Sequence, residues 1–593
     1  MTALAGLAVA LLSLALTAAG AAAGEHRELR VGVAGERFCI EADVVRPGLV
    51  RAVRAPRWEV EWWVVEALDA RGAIRFCTAL PDPLRGRADH LTGDRNEPEL
   101  LAGEEILLDG TLLAVQVPAE AGLARLRVRT GARRAVIAEL PLAAAPLAAL
   151  PSARGPGTVA GPVYESYTLR RGGDPANRVD LVILGDGYRA EEIASAYRAK
   201  VEAVTAHLLD DEEPLRRYRG YVNVHVVDVV SNESGTDDPR LGVVRDTALD
   251  TTLSLGGTRC SYTTSPRKVL DAAAQAPAPA DVILIAINDP TYGGCGLQFA
   301  VASGSNPDTH VHELGHAFGK LADEYGGFGT YTGAPVRRPN ATTERLRENI
   351  PWRRWIAPGT LLPTFDTTAI GLFEGANLWD VGQYRPTATS KMRALGETWR
   401  PVNSEALVKR LYDLVDPIDA HARSESLVDL RGAAQRRVAI TPVSPQLDSL
   451  RREWRLDGLV VGHADAVDIS AAQVPLGSQR ELTVTLFDDT TLVRDRDSGA
   501  PLHSTRAWTI VNGVAPMSRS PSPSPTPTGS PTPCACDCAG DGAVTVDELT
   551  RSVRIALGDL AASACAAADG DGRVAVAELV RGVAAALGGC ADG

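Results

Sequence analysis

The stretch "HVHELGHAFGKLADEY", residues 310–325, gathers side chains whose types and spacing can do chemistry. His312 and His316 are four residues apart, so on a helix they stand one above the other and both imidazoles can reach a single metal ion. Glu313 lies beside that face, where it can hold a water next to the metal and take its proton without being a ligand. This is a donor set for metal-assisted hydrolysis. A third donor must come from beyond the helix. Asp323 and Glu324 are the next side chains able to supply one: Asp323 is the first choice because a short carboxylate just past a turn needs less reach, and Glu324 is its rival.

The element that must position these groups is a helix, and the local sequence specifies one. Asn306 suits the N-cap, Pro307 the first helical position and Asp308 the positive end of the dipole. Gly319 ends it, and a left-handed conformation there would turn the chain back towards the metal. Upstream, "RVDLVILGDGY", "YVNVHVVDVV" and "DVILIAI" read as buried strands and "RAEEIASAYRAKVEAVTAHLL" as a helix, an alternation that means an α/β core. The G-D-G turn lacks both nucleotide-binding spacings, which leaves Asp186 to cap the next helix. "GGCGLQFAVASGSNP", just before the metal helix, contains a candidate edge strand along which an extended peptide can pair.

With 593 residues the chain is too long for one core. Residues 1–23 read as a signal peptide with Ala21-Ala22-Ala23 at the cleavage site, so a secreted or cell-surface protein is expected. Residues 24–155 show short β-rich runs and read as a β-sandwich, 160–415 as the α/β hydrolytic domain, and 420–513 as a further β-sandwich. Residues 514–533 are a Pro/Ser/Thr-rich linker. A formal charge of −13 argues against a nucleic-acid binder.

In an oxidising setting Cys39 and Cys77 are expected to pair in the first domain and Cys260 and Cys295 in the central one. Five more cysteines, Cys534, Cys536, Cys538, Cys565 and Cys590, crowd the tail, where an odd number leaves one over. Residues 534–593 fall into two related halves, each resembling an EF-hand or dockerin calcium loop followed by a helix. Asp537, Asp541 and Glu548 take loop positions one, five and twelve in the first; Asp569, Asp571 and Glu578 take three, five and twelve in the second. Ala539 and Ala567 replace one carboxylate in each loop, so weak calcium binding is expected, with a partner-protein or cell-surface contact as the module's role.

The segments "VDLVILGDGYRAEE", "VDVVSNESGTDDP", "YGGCGLQFAVASGSNPDTHVHELGHAFGKLADEY", "GLFEGA" and "YRPTATSKMRAL" follow one another in an order that resembles the IgA peptidase family of secreted bacterial zinc metallopeptidases, over roughly residues 160–415. The resemblance implies a metzincin-like catalytic domain in which His312 and His316 bind zinc, Glu313 is the base and Met392 forms the methionine turn beneath the metal. Ala322 stands where metzincins usually carry a third histidine, which again sends the third ligand to Asp323 or Glu324. After "KMRAL" this chain reads "GETWRPVNSEAL" where many relatives carry two cysteines, and Trp399 can fill that space. Tyr325 and Tyr384 are the candidates to stabilise an oxyanion.

The expected architecture is thus multidomain: an α/β metzincin-like zinc peptidase domain flanked by β-sandwich domains, plus a small C-terminal helical EF-hand/dockerin-like module. The expected function is that of a secreted zinc endopeptidase acting on protein or peptide substrates. The alternative is a catalytically silent surface or adhesion protein that binds through its sandwiches and calcium module. Glu313 separates the two, because a binding protein has no evident need for a general base between two metal ligands.

Overall fold

The computed structural model describes residues 25–35, 37–47, 62–91, 101–119, 122–130, 135–142, 165–258, 260–421, 426–431, 433–497 and 502–513, with Ser552 and Ile555 beyond. The expected signal peptide, linker and calcium loops, with Asp537, Asp541, Glu548, Asp569, Asp571 and Glu578, lie outside these residues. The chain divides into compact units 1–513 and 514–593. Among the described residues it is a multi-sheet, largely β protein with few helices. No helix there is long and apolar enough to cross a membrane.

The N-terminal segment contributes β1 (Glu25–Ala34), β2 (Arg37–Pro47), β3 (Trp62–Asp69), β4 (Ile74–Pro81), β5 (Arg85–Leu91), β6 (Leu101–Leu107), β7 (Gly110–Pro118), β8 (Leu123–Thr130) and β9 (Val136–Pro141). Sheets β2-β1-β7 and β4-β3-β8-β9 share a core to which alternate residues contribute: Leu29, Val31 and Val33 from β1, Trp63, Val65 and Ala67 from β3. That alternation overturns the expected Cys39–Cys77 disulfide. Phe38 and Ile40 on β2, and Phe76 and Leu80 on β4, point into the core, so the intervening Cys39 and Cys77 face outward from opposite sheets as free thiols. Burial, then the nearby Glu66, pushes the Cys77 thiol up to about 12.

The central sheet is built from β10 (Glu165–Arg170), β11 (Val179–Asp186), β12 (Val222–Asp228), β15 (Val282–Ile287), β16 (Gly293–Gly296) and β17 (Ala300–Ser303). A two-stranded ladder, β13 (Thr251–Thr252) and β14 (Tyr262–Thr263), lies apart from it. Every residue of β11, β12 and β15 is buried, as a parallel sheet covered on both faces requires. Leu181, Ile183 and Leu284 pack on one face with α1 (Arg198–Ala206), α3 (Pro307–Ala317) and α4 (Arg400–Leu414). Val182, Leu184 and Ile285 pack on the other with α2 (Pro266–Ala273).

Asp186 does not cap a helix. It is fully buried at the end of β11 and accepts from Leu249 N (2.9 Å), Thr251 N (3.0 Å) and Thr251 Oγ1 (2.6 Å), tying the following loop to the sheet. A second departure concerns the strand expected to offer a free edge. The sheet order is β10-β12-β11-β15-β17-β16-β5-β6, with β16 antiparallel to β17 on one side and to β5 on the other, Gly294 opposite Asp89 and Cys295 opposite Ala88. The N-terminal hairpin thus satisfies backbone groups that an edge would leave open. The Cys260–Cys295 disulfide forms as expected and secures β16 from the other direction. Downstream, β18 (Phe328–Thr330), β19 (Phe373–Ala376) and β20 (Trp379–Arg385) form a sheet of order β18-β20-β19. The described residues between 418 and 512 form three- and five-stranded sheets around Trp454, Ile469 and Trp508.

Candidate metal centre

Helix α3 starts as its sequence specifies: the Asn306 side chain caps it by accepting from Asp308 N at 3.0 Å, and Pro307 is the first helical residue. Three glycines let its neighbours close on it. A Cβ placed on Gly294 of β16 would fall 1.9 Å from Glu313 Oε1, and one on Gly296 would fall 2.4 Å from His316 Cβ. On Gly315, between the histidines, a Cβ would meet Met392 Sδ at 2.7 Å and the Trp399 ring at 2.8 Å. Met392 and Trp399 are thus buried against the helix.

The helix ends differently from expectation. Lys320, at φ +57°, takes the left-handed conformation. Gly319 is needed instead for close packing, because a Cβ there would lie 2.8 Å from both Gly315 O and Leu407 Cδ2. The returning chain is then fixed at several points. Asn340 bonds both the N–H and the carbonyl of Ala322 at 2.8 Å, Asn377 N donates to Asp323 O at 2.7 Å, and Glu324 N donates to Met392 O at 2.7 Å.

This turn brings Asp323, not Glu324, to the histidines. Asp323 Oδ1 lies 3.0 Å from His316 Nε2 and 3.5 Å from His312 Nε2, with His312 and Asp323 fully buried. His312 Nδ1 is 2.9 Å from Lys391 O and His316 Nδ1 is 2.8 Å from Leu321 O. A carbonyl can only accept, so both Nδ1 atoms carry a proton, which leaves Nε2 as the nitrogen each ring can offer to a metal. Asp323 makes no aligned hydrogen bond to either ring. Three electron-pair donors therefore converge on one point, an arrangement that a shared cation turns from repulsion into coordination. Burial opposes ionisation of Asp323; a protonated imidazole beside it outweighs that and holds its carboxyl well below the usual range.

Glu324 has a different role. Its Oε1 accepts from Asn340 Nδ2 at 3.0 Å and Asn403 Nδ2 at 2.9 Å, so it links the returning loop to α4 rather than orienting a histidine. Burial pushes its carboxyl upward despite those bonds. Glu313 is also fully buried. Tyr325 packs with Leu378 and Leu395, whereas Tyr384 lies in a separate cluster with Ile350 and Trp352 beneath Arg345. A cavity of about 540 Å³ reaches His316 and Gly296 from the N-terminal segment, lined there by Phe76, Leu80 and Leu113.

Reading the sequence missed the two carbonyls that orient the imidazoles, Lys391 and Leu321, and the amides of Asn340 and Asn403. Backbone carbonyls leave no mark in residue types, and the asparagines are 18 and 79 positions from their partners.

No curated protein matches the chain. Among solved structures, fibronectin(III)-like modules of Clostridium thermocellum CbhA align at 18% identity, covering 16% of this chain and 98% of theirs, with a TM-score of 0.11. An FMN-binding beta-glucuronidase described as from Facaelibacterium prausnitzii L2-6 aligns at 8% identity, covering 83% of this chain and 74% of its own, with a TM-score of 0.13. Scores this low carry no argument about fold. Residues 167–368, which include His312, Glu313, His316 and Asp323 but not Met392, match the family described as IgA Peptidase M64, and that match supports a metallopeptidase of this kind.

Proposed function

We propose that the chain is a secreted zinc-dependent endopeptidase whose metzincin-like α/β core spans about residues 160–415, with accessory sandwich domains on either side. The observation that supports it most is the convergence of His312 Nε2, His316 Nε2 and Asp323 Oδ1 beside the buried carboxylate of Glu313. Zinc, when bound, supplies the Lewis acidity that polarises a scissile carbonyl and makes water easier to deprotonate. Glu313 takes the proton of the attacking water and delivers it to the amine nitrogen as the C–N bond breaks, so one water is consumed and an acid and an amine result. The Lys391 and Leu321 carbonyls keep both imidazoles in the ligating tautomer throughout. Gly294 presses on Glu313 and restricts where its carboxylate can sit.

The substrate class is protein or peptide, and no immunoglobulin is assigned. With β5 along the outer edge of β16, an extended substrate is not assigned to that edge either. The tail module is read as a weak calcium site, checked by calorimetric titration of the full chain. Replacing Glu313 by Gln keeps the size but removes the base: zinc should be retained while turnover of a generic denatured protein falls on the order of a hundredfold or more. A parent chain that binds zinc yet cleaves nothing would favour the silent binding protein. A Glu313→Gln chain as fast as the parent would remove Glu313 as the base.

A further inference from the structure

Helix α3 and the methionine turn are joined by a buried ion pair that no step above uses. Lys391 is 1% exposed, and its ammonium bonds Asp308 Oδ1 and lies 3.0 Å from Glu212 Oε1. The other Asp308 oxygen accepts from Gly396 N at 2.5 Å, and His207 Nε2 lies 3.0 Å from Oδ1. Three of these groups, His207, Glu212 and Asp308, are close enough to hold a metal of their own. The Lys391 ammonium, however, already contacts both carboxylates and serves as their cation.

The geometry of Lys391 gives the cluster its meaning. Asp308 and His312 are four apart on α3, hence on one face, and both reach the same residue. Asp308 grips the Lys391 side chain, while the Lys391 carbonyl accepts a hydrogen bond from His312 Nδ1 at 2.9 Å. A short closed circuit runs from the first turn of the helix through the methionine turn and back to the imidazole one turn further on. Gly396 N on Asp308 closes the far end of the same turn, and Lys391 N donates to Thr398 O at 2.8 Å.

We propose that Asp308 and Lys391 are positioning residues for the metal-binding imidazole of His312, fixing the carbonyl that sets its tautomer and ring orientation. This rests on the reading of His312 as a ligand, so metal binding is measured apart from peptide cleavage. In the full chain, Asp308→Asn and Lys391→Met each strand a buried charge and should lower the melting temperature of the metal-free protein. The double variant removes both members of that pair, leaves Glu212 with His207 3.5 Å away as its neighbour, and should recover part of that stability. Zinc affinity, measured by chelator competition, should stay weakened roughly 10 to 100-fold in the double variant, with an altered visible spectrum after cobalt loading.

A double variant with the parent's zinc affinity and cobalt spectrum would overturn the proposal and leave the pair a purely structural role. If the single variants fail to fold, the double variant alone decides. A parent chain that takes up no zinc or cobalt would overturn the reading of the site itself, and this inference with it.

Discussion

Gly294→Ala is the substitution whose effect can be worked most directly from the structure. The backbone at Gly294 is not left-handed, so alanine costs nothing there by conformation, and the whole effect lies in the added methyl. Its Cβ would fall 1.9 Å from Glu313 Oε1, 2.7 Å from Cδ and 3.2 Å from Cγ. Restoring ordinary van der Waals contact needs a displacement of ~1.5 Å, and the side-chain carboxylate moves more easily than the paired strand. A misplacement of about 1 Å at a reacting group can cost on the order of a hundredfold, so kcat should fall by roughly that factor, with a stability loss of about 1–3 kcal/mol from overpacking. Zinc content should be unchanged, because the three atoms nearest the methyl all belong to Glu313. Gly296→Ala is the counterpart: its methyl meets His316 Cβ at 2.4 Å and Cγ at 2.8 Å, so metal affinity should fall first. Steady-state kinetics on a denatured protein substrate, with zinc analysis of the same samples, separates the two. A Gly294→Ala chain with the parent's kcat would refute the idea that β16 holds Glu313 in a working position.

Asp323→Asn should lower zinc occupancy, because its oxygen meets both imidazoles, whereas Glu324→Gln should keep the metal and loosen the loop held by Asn340 and Asn403; the opposite outcome in metal analysis would exchange their roles. Peptide-mapped alkylation of the native chain at mildly alkaline pH should modify the exposed Cys39 well before Cys77, whose thiol is pushed up to about 12 by burial and Glu66. Cys260 and Cys295 should react only after reduction. A linked Cys39–Cys77 peptide in an unreduced digest would contradict the outward placement of the two thiols.

The parts of the site that follow from chain-local rules were legible in the sequence. Asn306, Pro307 and the i, i+4 histidines specify a helix start and a ligand face with no help from the rest of the fold. The choice between Asp323 and Glu324 depended on where the chain turned, and a left-handed Lys320 leaves no residue-type signal, since glycine is the residue that conformation usually selects. The β16 edge and the Cys39–Cys77 pair failed for a shared reason: each depends on how separate strands are arranged in space, and sequence order does not say which hairpin will complete a sheet or which face a thiol will take.

The measurement closest to the central claim is metal removal and return on one purified sample. Chelation should abolish cleavage of a denatured protein, and one equivalent of zinc should restore it, with no gain from zinc in a variant lacking both His312 and His316. A metal-free chain that cleaves as fast as the untreated one would contradict the account.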